Sequence, residues 1–127
     1  MNEPVFLSRA QVDDIHAESL KQHGGIDGVR DSGLVDSAMA AAINTHYYGY
    51  GDLFDIAAAY AFHLAESQAF LDGNKRTAIA SALTFLDGNG VYRTPDQAEL
   101  YQAMIDIANH KLDKPGLAAI FRRLAGK

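Results

Sequence analysis

The segment Leu53–Gln68, LFDIAAAYAFHLAESQ, constrains the fold more than any other. Leu53, Ile56, Ala57, Tyr60, Ala61 and Leu64 recur at the three-and-four spacing of one α-helical face. Most other positions in the segment are apolar as well. The helix therefore needs partners on most sides and belongs at the centre of a bundle. The flanking sequence supplies those partners. Ser8 with Gln11 makes a capping box for a first helix over about Ser8–Gln22, with Val12, Ile15 and Leu20 on its apolar side. His23–Gly33, with four glycines, reads as a loop. Asp31 or Ser32 caps a second helix to about Asn44 that buries Leu34, Val35, Ala38, Ala41 and Ala42. The aromatic and glycine-rich stretch Asn44–Asp52 reads as irregular or as a short hairpin. A fourth helix spans about Asn74–Asp87, with Ile79, Leu83 and Leu86 inward and Gly88 and Gly90 stopping it. Thr94-Pro95-Asp96-Gln97 starts a fifth with a capping box, and Pro115 starts a sixth with Leu117, Ile120, Phe121 and Leu124 as its stripe. No strand alternation appears. The expectation is an all-α, compact bundle of about six helices with at most one short hairpin, in a single domain spanning 1–127.

Charge and composition exclude several functions. A formal charge of −5 argues against broad electrostatic binding to nucleic acid or an anionic membrane, while leaving room for a locally basic site. With no cysteine there is no thiolate chemistry, and this fits a cytoplasmic protein. The start, MNEPVFLSR, does not read as a signal peptide, and no run approaches the roughly 20 apolar residues of a membrane span.

The chemistry lies in Gln68–Thr77, QAFLDGNKRT. An apolar helix ends, a short loop turns, and a new helix starts at Gly73 and Asn74. The first N–H groups of a helix have no internal partner, and its dipole makes that end positive, so anions bind there. Gly73 lets a phosphate approach the backbone, and Asn74 can donate through its side-chain amide. Lys75 and Arg76 add charge, and Arg76 can grip a phosphate with two parallel hydrogen bonds. Asp72 stands where a carboxylate can share Mg²⁺ with phosphate oxygens. Each residue also has a bland reading: Asp72 as a cap, Gly73 as a turn, Lys75 and Arg76 as solvated charges. Capping alone, however, does not call for Asn, Lys and Arg in succession.

FLDGNKRTA, followed by an apolar helix ending at FLDGNG, resembles the signature of the Fic/Doc (Fido) superfamily, His-x-Phe-x-(Asp/Glu)-(Gly/Ala)-Asn-(Gly/Lys)-Arg. The lysine variant is similar to the death-on-curing (Doc) toxin branch, as is GIDGVRDSGLVDSA at Gly25–Ala38. The resemblance implies a helical fold, a site for ATP or a related nucleotide with Mg²⁺, and transfer of a phosphate or a nucleotidyl group to a hydroxyl of a target protein. For Doc toxins that target is elongation factor Tu. Carried over by position, Phe70 is the apolar anchor of the loop and Asp72 the Mg²⁺-binding acid. Gly73, Asn74 and Lys75 are the anion-cradling helix start, and Arg76 is the phosphate-binding arginine. Asn44–Asp52, with Tyr47, Tyr48 and Tyr50, falls where the resemblance places a flap that holds the target by strand addition.

The pattern breaks at its first residue. The motif histidine is the general base, and here it is Gln68, whose amide does not titrate near neutral pH. His63, five residues earlier and rotated about 140° around the helix, does not replace it. His63 and Glu66 have metal-pair spacing but no further converging ligands. His16, His23, His46 and His110 show no ligand or triad spacing. Arg30 and Asp31 read as a local ion pair ordering their loop. The inhibitory helix motif Ser/Thr-x-x-x-Glu-Gly/Asn finds no match, so restraint of an active protein falls to a separate, Phd-like antitoxin. Two readings remain open: a Doc-like transferase impaired at Gln68, and a non-catalytic Fido module that holds a nucleotide or a protein partner.

Overall fold

The computed structural model describes residues 3–92 and 96–127. Six helices follow one another: α1 (Arg9–His23), α2 (Ser32–Tyr47), α3 (Leu53–Ser67), α4 (Asn74–Gly88), α5 (Gln97–Ala108) and α6 (Lys114–Leu124). No strand forms among the described residues, and the expected all-α bundle is observed. Helix α3 packs against α2, α4, α5 and α6, while α1 lies mainly on α4. Ile56 to Ala61 are wholly buried, as the apolar run on every side of that helix requires. No helix among the described residues is long and apolar enough to cross a membrane.

Local chemistry sets the helix boundaries. The expected Ser8–Gln11 capping box starts α1, and the Asp31 carboxylate caps α2. Asp113 caps α6, so Pro115 occupies its second position rather than its first. Asp96 caps α5, which displaces the expected start by two residues; Thr94 and Pro95 lie outside the described residues.

Two local expectations are corrected. The buried face of α1 is Val12, His16 and Ser19, with Ile15 and Leu20 only half-buried. The expected flap at Asn44–Asp52 forms no hairpin, because α2 continues through Tyr47. The Thr45 hydroxyl donates to the Ala41 carbonyl at 2.9 Å and stays compatible with the helix, and a tight turn at Tyr48–Gly51 leads into α3.

Candidate active site

The motif segment joins α3 to α4. Gln68 ends α3 in the left-handed region, at φ 49° and ψ 44°. Its side chain is exposed and makes no hydrogen bond among the described residues. Phe70 is the buried anchor: its ring stacks on His16, with centroids 3.9 Å apart and planes at 15°. The Asn74 amide closes a ring with the backbone of Phe70, its Oδ1 accepting from the Phe70 N–H at 3.1 Å and its Nδ2 donating to the Phe70 carbonyl at 3.0 Å. The Asn74 Oδ1 and one of its two Nδ2–H donors therefore hold the loop, and the second Nδ2–H has no partner among the described residues. His16 Nε2–H donates to the Asp72 carbonyl at 2.9 Å, which requires the Nε2-protonated tautomer.

Helix α4 starts at Gly73, whose φ of 77° lies in the left-handed region, and no side chain caps it. The N–H groups of Asn74, Lys75 and Arg76 are thus left to the groove in front of them. Asp72 flanks this opening. One of its carboxylate oxygens accepts from the Gly73 N–H at 2.9 Å and the other from the Ile26 N–H at 3.3 Å. An exposed carboxylate with lone pairs to spare, next to an anion site, has the chemistry to share Mg²⁺ with phosphate oxygens. No cluster of three or more protein ligands forms among the described residues, so such a metal would depend on the phosphates. Lys75 and Arg76 are half-exposed. Ion pairs join Arg9 to Asp13 and Asp36, Arg122 to Asp52 and Asp55, and Arg123 to Glu99; none of the described pairs occupies Lys75 or Arg76.

The groove has a volume of about 550 Å³ and brings together Gln68, Asp72, Gly73, Asn74, Lys75 and Arg76. It does not include Tyr47, Tyr48 or Tyr50. These exposed residues end α2 and form the turn before α3, whereas Gln68 lies at the far end of α3, about 22 Å along the helix axis from its start. The backbone that pairs with the motif loop is instead Gly28–Asp31. Val29 and Phe70 pair in antiparallel fashion, the Arg30 and Asp31 N–H groups donate to the Ala69 carbonyl at 2.7 and 3.0 Å, and the Leu71 N–H donates to the Gly28 carbonyl at 3.0 Å. Arg30 does not pair with Asp31; it donates to the Ser67 carbonyl at 3.3 Å, at the negative end of α3. Gly25 is required there: its φ is 124°, and a Cβ would stand 3.0 Å from the Asp72 carboxylate.

His63 lines a different cavity and accepts a hydrogen bond from Lys114 Nζ at 3.0 Å. Burial and the nearby Lys114 charge lower its pKa. It stays neutral and away from the groove. Ser19, His23 and Tyr101 line the groove and the buried His16 holds its loop from behind, and none of them had a role in the sequence-based picture. His16 and Ser19 share the spacing of Val12 on α1, so polar residues on a core-facing stripe were the signal for them. Ser19 is buried, and its hydroxyl has no partner among the described residues. Nothing local marks His23 or Tyr101.

The sequence profile of the Fic/DOC family matches residues 6–86, from the first helix through the motif to the end of α4. A helical bundle with an uncapped helix start set between a motif carboxylate and a motif arginine is thus not a chance likeness: the chain belongs to the Fic/DOC family. Within that family it is similar to Doc proteins. It is 31% identical to the protein kinase Doc of Escherichia phage P1 over 121 residues, covering 94% of this chain and 95% of that one. It is 43% identical to the toxin Doc of Mycolicibacterium smegmatis over 102 residues, covering 76% of this chain and 77% of the relative.

Proposed function

We propose that this chain is a Doc-like toxin that uses ATP with Mg²⁺ to transfer a phosphate, or AMP, to a hydroxyl of a target protein, with turnover limited by Gln68. The observation that carries this reading is the bare start of α4: three N–H groups, an unpaired arginine and a lysine face one groove. Phosphate oxygens would lie on these N–H groups, with Arg76 gripping from the side. Bound there, Mg²⁺ would neutralise phosphate charge beside Asp72. The target hydroxyl gives up its proton as its oxygen attacks phosphorus and the bond to the leaving nucleotide or pyrophosphate breaks. The motif histidine would take that proton. Gln68 cannot, so the cradle retains its charge stabilisation and lacks a base. Likeness to Doc toxins supports a separate antitoxin as the restraining partner and elongation factor Tu as the first target to test.

Gln68→His is the decisive variant. Position 68 is left-handed, a conformation that histidine adopts more readily than most side chains, so the change should not disturb the fold. Purified protein is incubated with elongation factor Tu, Mg²⁺ and ATP labelled at either the α or the γ phosphate. Label transfer should rise on the order of 10²–10⁴-fold in Gln68→His, with ATP affinity nearly unchanged. No transfer by either protein, with ATP still bound, overturns the transferase reading and leaves the non-catalytic binding module. Gln68 is the observation that favours that second reading.

A further inference from the structure

Arg76 is the long, half-exposed cation on which the proposed phosphate grip depends. What holds it is neither a carboxylate nor a backbone carbonyl among the described residues. Its guanidinium carbon stands 5.1 Å from the centroid of the Tyr101 ring, within cation–π range. Tyr101 belongs to α5, which is fastened to the core through Leu100, Ala103, Met104 and Ile107. Its backbone is thus held firmly, and the ring, 36% exposed, stands at the groove wall.

The type of partner matters. A guanidinium carries its five N–H donors in its own plane. A carboxylate would occupy that fork, and a phosphate would have to displace it. An aromatic ring attracts the cation while leaving the donor fork free for an anion. Tyr101 and Arg76 also line a second cavity, of about 740 Å³, which runs between α1, α4 and α5 and shares Ser19 and His23 with the motif groove. The pair therefore stands where the two cavities meet.

We propose that Tyr101 is a positioning residue: its ring pre-orients Arg76 so that the guanidinium meets a nucleotide phosphate with its donors free. This rests on the reading of Arg76 as a phosphate clamp. Pre-orientation removes part of the ordering that a flexible arginine would otherwise undergo on binding. The test is a double-mutant cycle on ATP·Mg²⁺ affinity, measured by calorimetry with wild type, Tyr101→Leu, Tyr101→Phe, Arg76→Ala and the Tyr101→Leu/Arg76→Ala pair. Tyr101→Leu should weaken binding about two- to fivefold, and Tyr101→Phe, which keeps the ring, should restore it. In the Arg76→Ala background Tyr101→Leu should have no further effect, an outcome that a purely structural tyrosine would not produce. Tyr101→Leu binding as wild type, or effects that simply add, overturns the positioning role while leaving the clamp standing. Wild type that binds no ATP, or Arg76→Ala that binds as wild type, overturns the clamp and this inference with it.

Discussion

Two helix starts in this molecule solve the same problem in opposite ways. At α3, Asp52 accepts from the N–H groups of Phe54 and Asp55, Asp55 returns a bond to the Asp52 N–H, and Arg122 of α6 grips both carboxylates. Every orphan donor that a side chain can reach is satisfied, and distant parts of the chain are tied together. At α4, Gly73 offers no side chain, and the first N–H groups face an open groove beside Arg76 and Lys75. Ser8, Asp31, Asp96 and Asp113 follow the α3 pattern at the other helices. An N-cap contributes about 0.5–2 kcal/mol, so the start of α4 forgoes stability that the fold secures at every other helix. A start left bare in such company is the contrast on which the proposed anion site rests.

The sharpest way to break this comparison is Arg76→Ala. A charge-assisted hydrogen bond contributes about 1.5–3 kcal/mol, so ATP affinity should fall about ten- to a hundredfold in a titration while the melting temperature stays put. Gly73→Asp would give α4 the kind of start α3 has. Its carboxylate would compete with phosphate for the same N–H groups, and ATP binding should weaken about tenfold by Coulomb repulsion. The gained cap and the left-handed backbone, at about 1–2 kcal/mol, should nearly cancel in thermal stability. Asn74→Ala removes two hydrogen bonds that hold the Phe70 backbone. Chemical denaturation should show a loss of roughly 2 kcal/mol. Asp52→Ala is the control at the other start: about 1 kcal/mol less stable, with unchanged ATP affinity.

That control has a pH signature. Burial pushes the Asp52 carboxyl up, but the Asp55 N–H and Arg122 outweigh it and hold its pKa below the ordinary 3.8. The stabilisation is therefore fully present above that ordinary value and is lost as pH falls through the lower folded value. Acid titrations of stability should show wild type losing more than Asp52→Ala below about pH 4. Parallel curves would show that the Arg122 grip contributes nothing.

The order and extent of the helices were legible because their causes are local. Leu53–Gln68 carries its own periodicity, Ser8 and Asp31 announce their helices within four residues, and Pro115 marks the sixth within one residue of its start. The motif cluster was legible too, because its residues are consecutive. What escaped depends on distant pairing. Gly28–Asp31 meets the motif loop across about forty residues of chain, and no spacing rule connects Val29 to Phe70. At Asn44–Asp52 the aromatic residues and glycines suggested irregular chain or a hairpin, and local composition did not show that α2 would run on to Tyr47. Asn74 was assigned to phosphate on its donors, and only its geometry shows that Oδ1 and one of those donors also hold the backbone of Phe70. The face of α1 was misjudged for a related reason: His16 is buried by its stack on Phe70, a contact no hydropathy pattern contains.

The exposed, unbonded side chain of Gln68 has an evolutionary consequence. The groove is maintained by Phe70, Asn74, His16 and the Gly28–Asp31 backbone, and none of these touches the side chain at position 68. Selection on folding therefore constrains that position mainly through its left-handed backbone, not through contacts of the side chain. Under the proposed mechanism, a lineage could exchange base for amide there, and recover it, with no compensating change in the residues that hold the groove. Rate and architecture, on that mechanism, are inherited separately.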